Sequence, residues 1–363
     1  MKKKLFLFLS ICASSTFAQV GNCDNAGFES SNGVLTGAGV TGWSFRSGTY
    51  GNTAATKCDE VFPINMTANG ALNEGGTNAT DAPANVTWNR HTVMTTASGS
   101  DANSLNNVPC VAPANLFPSG VNKYSFRIGN AVGTQIGNDL AFSESAKFTF
   151  LVTKQNAGLT YLYSAFLNDP DHPTNQAPRF EIKITDQNGT QVNCGYYQVA
   201  AGNGDTKFKK GKQSGPANGG VTPYWTYTDW TKVGLDLSMY VGTNVTIEFT
   251  TADCFPSSGT SNNNGVITCT GWGPGQHSAY AYIDLYCTPI EIISPPVCAN
   301  QASVQLCAPD GYASYQWPSG QPGIVPPLDQ KCVTIQNPKA GDKYTVNMTS
   351  VAGGCPTSTT ITL

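Results

Sequence analysis

A strict two-residue alternation, with no helical period to set against it, most constrains what this chain can fold into. Phe148, Phe150 and Val152 alternate with Thr149, Leu151 and Thr153. Phe180, Ile182 and Ile184 alternate with Glu181, Lys183 and Thr185, and Val245, Ile247 and Phe249 with Thr246, Glu248 and Thr250. Successive side chains on a strand point to opposite faces, so each run reads as a half-buried strand. Leu159–Leu167 and Ala279–Cys287 are further β-rich runs. Gly158 and the turn Asp186-Gln187-Asn188-Gly189 punctuate the pattern, since Asn-Gly tolerates positive φ. From Cys23 to about Leu140 the chain is rich in Gly, Asn, Thr and Ala, which predicts short strands between long loops.

Composition narrows the class. Only 12% of the 363 residues are charged, and 38 Gly and 22 Pro follow no Gly-X-Y triplet, which excludes collagen, coiled coil and helical bundle. Hydrophobic residues at 40% and aromatics at 10% supply a core and exclude wholesale disorder. The expectation is an all-β protein: a jelly-roll β-sandwich followed by a small immunoglobulin-like β-sandwich.

The N-terminus reads as an export signal. Lys2, Lys3 and Lys4 precede the apolar stretch Leu5–Ala13, and Thr16 and Ala18 place small residues before Gln19. That run is too short to cross a membrane, and no transmembrane segment is expected further on. Removing residues 1–18 takes three lysines with it and leaves a formal charge of about −6. A nucleic-acid partner is therefore not expected, because phosphate neutralisation needs surplus Lys and Arg. Eleven cysteines remain with no CxxC pair, which reads as disulfides in an oxidising compartment. The number is odd, so at least one thiol is unpaired or pairs with another chain.

The expected domains are a signal peptide (1–18), a jelly-roll binding-type domain (19–288), a Pro-rich linker (289–296) and an immunoglobulin/PKD-like domain (297–363). Residues 255–276 read as a long Ser/Asn/Gly-rich loop. A 67-residue domain needs staples, and its four cysteines could supply two.

A resemblance is carried by Phe28-Glu29, Gly42-Trp43, His91-Thr92-Val93-Met94 and Arg127-Ile128-Gly129-Asn130. It continues through Asp169-Pro170-Asp171-His172-Pro173, Pro178-Arg179-Phe180, Asp253-Cys254 and His277-Ser278-Ala279-Tyr280-Ala281-Tyr282-Ile283-Asp284. With Gly311-Tyr312-Ala313-Ser314-Tyr315-Gln316-Trp317, the ordered set resembles the N-terminal module and repeat unit of large Bacteroidota surface proteins of the gliding-motility adhesin type. Those proteins are type IX secretion substrates with a C-terminal sorting domain, whereas this chain ends on the strand-like run Thr359–Leu363. The large domain is also similar to galactose-binding-like jelly rolls of carbohydrate-binding modules. That similarity implies a structural Ca²⁺ held by Glu29 and Asp284; otherwise the two are a solvent-facing strand residue and a local acceptor. For the disulfides, Cys23–Cys287 would tie the first strand to the last. In the small domain Cys298–Cys355 with Cys307–Cys332 is favoured among three connectivities.

His91, His172 and His277 are the chain's three histidines and fall inside these motifs. With Asp169, Asp171 or Asp253 they are candidates to ligate Zn²⁺ or to position a sugar hydroxyl, against the plainer reading of loop histidines bonding the backbone. Tyr224, Trp225, Tyr227, Trp230 and Trp272 are candidates to stack on a sugar ring, against the plainer reading of core or loop packing; Trp225 and Trp272, in Gly/Pro-rich context, are the expected exposed ones, while Trp230 is expected to pack inside. Lys207, Lys209, Lys210 and Lys212 read as a solvated Gly-rich loop. No Gly-X-Ser-X-Gly elbow, HExxH, phosphate loop or Cys/His nucleophile signature occurs, so an enzyme is not expected. The implied protein is a secreted, cell-surface adhesin that binds a glycan or polysaccharide surface and engages outer-membrane secretion and anchoring machinery. The alternatives are a structural stalk or filament subunit and a polysaccharide-degrading enzyme using the His/Asp motifs.

Overall fold

The computed structural model describes residues 23, 26–29, 42–50, 65–68, 91–118, 120–129, 141–169, 177–202, 204–214, 222–253, 258–261, 267–270, 278–298, 300–350 and 355–363. They form an all-β protein; no α-helix occurs among them, and none of their helices is long and apolar enough to cross a membrane.

The large domain is a jelly-roll sandwich of two antiparallel sheets. The first runs in the order β2 (Asn65–Ala68), β1 (Trp43–Tyr50), β5 (Ala141–Leu151), β12 (Asn244–Ala252), β7 (Arg179–Asp186) and β8 (Gln191–Ala200). The second runs β3 (His91–Thr95), β4 (Tyr124–Gly129), β15 (Ala279–Thr288), β6 (Gly158–Asp169), β10 (Tyr224–Tyr227) and β9 (Lys209–Gln213), with β11 (Thr231–Asp236) also beside β6. From β4 to β7 the chain crosses between the sheets at every step. The alternations of the sequence define the inner face: Phe148, Phe150, Phe180, Ile182, Ile184, Val245, Ile247 and Phe249 share one buried core. A hairpin of β13 (Ser258–Ser261) and β14 (Ile267–Thr270) lies within the stretch expected to be loop, so that expectation is corrected there.

The outer face of the second sheet is not left to solvent. On β15, Ala279, Ala281, Ile283 and Leu285 face the inner core, while Tyr280 and Tyr282 belong to a second buried cluster with Phe166, Trp225 and Tyr227. The segment between β3 and β4 folds over this cluster and contributes Val108, Cys110 and Val111. It carries Asp101, whose carboxylate accepts the Tyr280 hydroxyl at 2.9 Å and the Tyr282 hydroxyl at 2.7 Å. Burial, then the Asp101 charge, pushes both phenols far above their ordinary pKa. Asp101 also accepts the Asn103 N–H, and the segment closes on itself through Asp101 N–H to Val108 O and Cys110 N–H to Gly99 O. Trp230 donates its Nε1–H to Pro109 O at 2.8 Å and is partly buried. Trp225 is 4% exposed with its ring edge-on to Tyr280. The expectation of an exposed Trp225 is therefore corrected, because its strand face is the covered one. Cys110, the free cysteine among the described residues, is sealed here, its Sγ 3.5 Å from Tyr282 Oη.

The small domain packs two three-stranded sheets. One is β16 (Ser303–Cys307), β19 (Cys332–Gln336) and β18 (Ile324–Val325); the other is β17 (Ser314–Gln316), β20 (Lys343–Thr349) and β21 (Pro356–Thr362). Trp317 is fully buried at its centre and donates Nε1–H to Gln330 O. The domain docks against β11 and β15. Gly234 N–H donates to Gly311 O at 2.6 Å, and a Cβ on either glycine would lie 3.0 Å from the other's backbone. Asp310 sits between Lys232 at 2.6 Å and Lys331 at 3.2 Å, with the Tyr286 hydroxyl donating to it. Ile290 packs on both cores and Ile292 is buried in the smaller one.

The structure pairs Cys23 with Cys287 and, across facing positions of β16 and β19, Cys307 with Cys332. Cys355 is paired with Cys194 on β8, not with Cys298, which is itself disulfide-bonded. The reason for this correction is the docking: β21 faces the large domain, where Thr357 donates to Asp236 at 2.6 Å.

Two outcomes follow from this packing. Trp225→Ala should lower unfolding free energy by about 3–5 kcal/mol in urea titrations, as expected for a large side chain removed from a core; a loss under 1 kcal/mol would mean the face is open. For Asp310, burial alone would raise the carboxyl, but the two lysines outweigh it and hold the group below its ordinary value. Its contribution is present above the unfolded carboxylate pKa and lost as pH falls through the folded one. Asp310→Asn should thus cost about 1–3 kcal/mol at neutral pH, with the deficit shrinking below about pH 4. A deficit independent of pH would contradict the charge pairing.

Candidate functional site

The registers bring many strand ends to one end of the sandwich. Asp169 at the end of β6 faces Tyr224 at the start of β10, and Tyr224 faces Gln213 at the end of β9. Ala279 faces Leu167, Tyr280 faces Gly129, Arg179 faces Ala252, and His91 faces Ile128. These are the flanks of the sequence motifs, which topology gathers although they lie far apart in the chain. The end is tied together by polar bonds: Ala279 N–H to Asp253 Oδ1 at 3.1 Å, Asn168 N–H to Ser278 O at 3.0 Å, and Ser214 Oγ–H to Asn168 Oδ1 at 2.8 Å. Gly129 has φ +75°, and a Cβ there would lie 2.5 Å from Ala279 O, so only glycine lets β4 approach β15 at this rim.

Not every expected ligand residue lies on this surface. Asp169 is half-buried at the rim, beside Tyr224. His91 is at the same end but fully buried, its ring 5.3 Å from Phe45 and 5.9 Å from Phe126. It lines the interior rather than the surface, because its β3 position faces the inner core. Trp225 belongs to the covered outer face, as described above. Asp171, His172, Trp272 and His277 lie outside the described residues.

Sequence reasoning singled out Tyr224 as a sugar-stacking candidate but missed Glu144, Asp101 and the lysine that covers the Tyr224 ring. Glu144, on β5, is buried at the same end and accepts the Thr251 hydroxyl at 3.3 Å. Tyr224 carries the Lys210 ammonium over its ring, 3.4 Å from the centroid. Asp101 anchors the covering segment. The Ala-Tyr-Ala-Tyr run of 279–282 was the available signal for the last, since small residues on one face and tyrosines on the other mark a strand buried on both sides.

Glu29 and Asp284 meet away from this end, around residues 122–125. Glu29 Oε1 accepts the N–H groups of Lys123 and Tyr124 at 3.1 and 3.3 Å. Asp284 is fully buried and accepts from Asn122 Nδ2, Ser125 Oγ and Leu285 N at 2.8–2.9 Å. Burial, and then the Glu29 charge after those opposing hydrogen bonds, leaves its pKa well above the ordinary value. Phe28, at φ 60°, stacks on Trp43 and Phe126 and so pins Gly27 and Glu29 against β15. A Cβ at Gly27 would lie 3.0 Å from Asp284 Oδ1 and 3.3 Å from Leu285 O, which leaves an oxygen-lined cradle. Among the described residues no group of three or more His, Cys, Asp or Glu gathers, so a cation here would take its other oxygens from backbone and amides. That donor set fits a hard cation such as calcium.

No protein-family model matches the chain, and no curated protein sequence matches it. Among solved structures, the chain is similar to the carbohydrate-binding module TmCBM61, whose structure holds β-1,4-galactotriose. Identity is 11% over 54% of this chain and 86% of that one, with a TM-score of 0.21. It is also similar to the adhesin domain of Epf from Streptococcus pyogenes, at 7% identity over 66% and 75% of the two chains and a TM-score of 0.16. Similarity at this level places the chain with neither.

Proposed function

We propose that this chain is an exported, non-enzymatic adhesin-like module that binds glycans at the rim of its jelly roll where β6 and β9 end and β10 and β15 begin. The observation that carries the reading is the convergence at one rim of Asp169, Gln213, Ser214, Tyr224 and Asp253, each exposed or half-buried, over the buried Asn168 and Ser278. Such a set joins hydrogen-bonding groups to an aromatic face, the combination that recognises a hydroxyl-rich ring with one apolar side. The outer face of the second sheet is occupied by its own chain, and the small domain docks along β11 and the far half of β15; among the described residues neither covers this rim. The disulfides suit an extracellular setting. The resemblance of the motifs supports attachment or gliding at a Bacteroidota cell surface, with outer-membrane secretion machinery as the partner in export.

The same proposal gives Glu29 and Asp284 a structural calcium ion. Glu29 and Asp284 would hold the cation, which would supply the positive charge that two neighbouring carboxylates lack and tie the 26–29 turn to β15. Asn122 and Ser125 hold Asp284 in place, and the Lys123 and Tyr124 amides hold Glu29.

A glycan and polysaccharide array with residues 19–363 should show specific binding that Asp169→Ala and Tyr224→Ala together abolish without lowering thermal stability. No binding to any glycan would overturn the function. Separately, calcium at a hundredfold excess over its Kd should stabilise the protein by about 2.7 kcal/mol, and Asp284→Asn should remove that gain. An unchanged melting temperature in calcium and in EDTA would overturn the calcium site alone.

A further inference from the structure

The lysine cluster is not the loop its composition predicts. Lys209, Lys210 and Lys212 stand on β9, the edge strand next to the proposed binding rim. The strand is fixed on both sides. It pairs with β10, and Lys212 N–H donates to Asn103 O at 3.0 Å on the covering segment. Gly211 is buried so closely that a Cβ would meet Asn103 O at 2.6 Å and Trp225 O at 2.9 Å. The lysines are thus presented from a rigid backbone.

Their charges are not equivalent. Lys209 forms an ion pair with Asp229. The Lys207 ammonium lies 5.4 Å from the centre of the Tyr197 ring, and Asp205 beside it accepts the Tyr197 hydroxyl and the Lys207 N–H. Lys210 and Lys212 are exposed and have no carboxylate partner among the described residues. Lys210 is held over Tyr224, directly across the sheet from Asp169. Lysines on an edge strand discourage edge-to-edge pairing. That role does not require one of them to be docked on an aromatic ring at the rim. In a chain whose mature charge is about −6, two unneutralised cations at one rim mark a place where negative charge is brought in from outside.

We infer that the glycan bound at this rim is anionic, its carboxylate or sulfate groups taken by Lys210 and Lys212 beside the Tyr224 ring. This rests on the glycan-binding reading above and names its ligand class. Charge-assisted hydrogen bonds from ammonium to carboxylate or sulfate supply the selection against neutral chains, and the aromatic ring supplies a sugar contact common to both.

The test compares polygalacturonate, a sulfated galactan and a neutral galactan for binding to residues 19–363, with Lys210→Gln/Lys212→Gln and, as control, Lys339→Gln/Lys343→Gln in the small domain. All four side chains are exposed, and melting temperatures confirm folding. The expected result is binding to an anionic chain that weakens about tenfold in the β9 variant, equivalent to about 1.4 kcal/mol, and is unchanged in the control. It should also weaken as sodium chloride rises from about 0.05 to about 0.5 M, as screening requires. Whether polygalacturonate or the sulfated galactan binds distinguishes carboxylate from sulfate. Anionic binding that survives Lys210→Gln/Lys212→Gln, including calcium-bridged binding, overturns the inference. Neutral galactan bound alone overturns it and leaves the glycan-binding function standing, and no binding to any of the three overturns both.

Discussion

The hydroxyls of Tyr280 and Tyr282 converge on the carboxylate of Asp101, and the arrangement of the large domain depends on that buried bond set. Hydrogen bonds to a charged acceptor contribute about 1.5–3 kcal/mol each, and leaving such donors unpaired in a buried site costs about 1–3 kcal/mol. Together they hold the β3–β4 segment down over Phe166, Trp225 and Tyr227. They also make β15 a strand buried on both faces. The aromatic stack beneath the segment, with Phe166 4.8 Å from Tyr280 and 5.5 Å from Tyr227, adds about 0.5–1.5 kcal/mol per pair beyond area burial. One consequence is functional: Trp225, which read from sequence as an exposed sugar platform, lies on a sheet face that is internal. The proposed ligand surface is therefore the rim.

β15 continues that role along its length. Beyond the tyrosines, its outer face presents Asp284 to the 122–125 segment and then Tyr286 to Asp310 of the small domain. The domain contact combines a glycine–glycine backbone approach, a half-buried carboxylate between two lysines, and a disulfide from β8 to the start of β21. Ile290 packs into both cores, and Ile293 pairs its backbone with Cys307. The segment read as a stiff Pro-rich linker thus contributes packing as well as spacing. A rim carried on such a pair of domains has a fixed direction relative to the second domain, which is what a displayed binding surface requires.

The inner core was legible because period two has one physical meaning: residues at i, i+2 and i+4 of β5, β7 and β12 share a face. What covers the other face was not legible. Trp225 alternates with Tyr224 and Thr226 in a way that assigns it to a face, but only the tertiary path of the β3–β4 segment buries that face. Cys355 was matched to Cys298 because both lie in a small domain, yet pairing follows proximity after docking, which brings Cys355 to Cys194 on β8. The lysines of 207–212 looked like loop because glycine and charge dominate them. β10 recruits Lys209, Lys210 and Lys212 as an edge strand through backbone bonds that ignore side-chain identity, while Lys207 sits in the turn before it. Glu29 and Asp284 were found through resemblance, since no local pattern predicts that residues 255 positions apart converge.

The central claim is that ligand is held at the rim where β6, β9, β10 and β15 end. Hydrogen–deuterium exchange of the full chain with and without a saturating bound oligosaccharide tests it most directly. The account predicts added protection of the amides of Asn168, Asp169, Ser214, Tyr224 and Ala279, with none on the small domain. Protection centred instead on the open face of the first sheet, around Lys147, Thr149, Thr246 and Glu248, would contradict it.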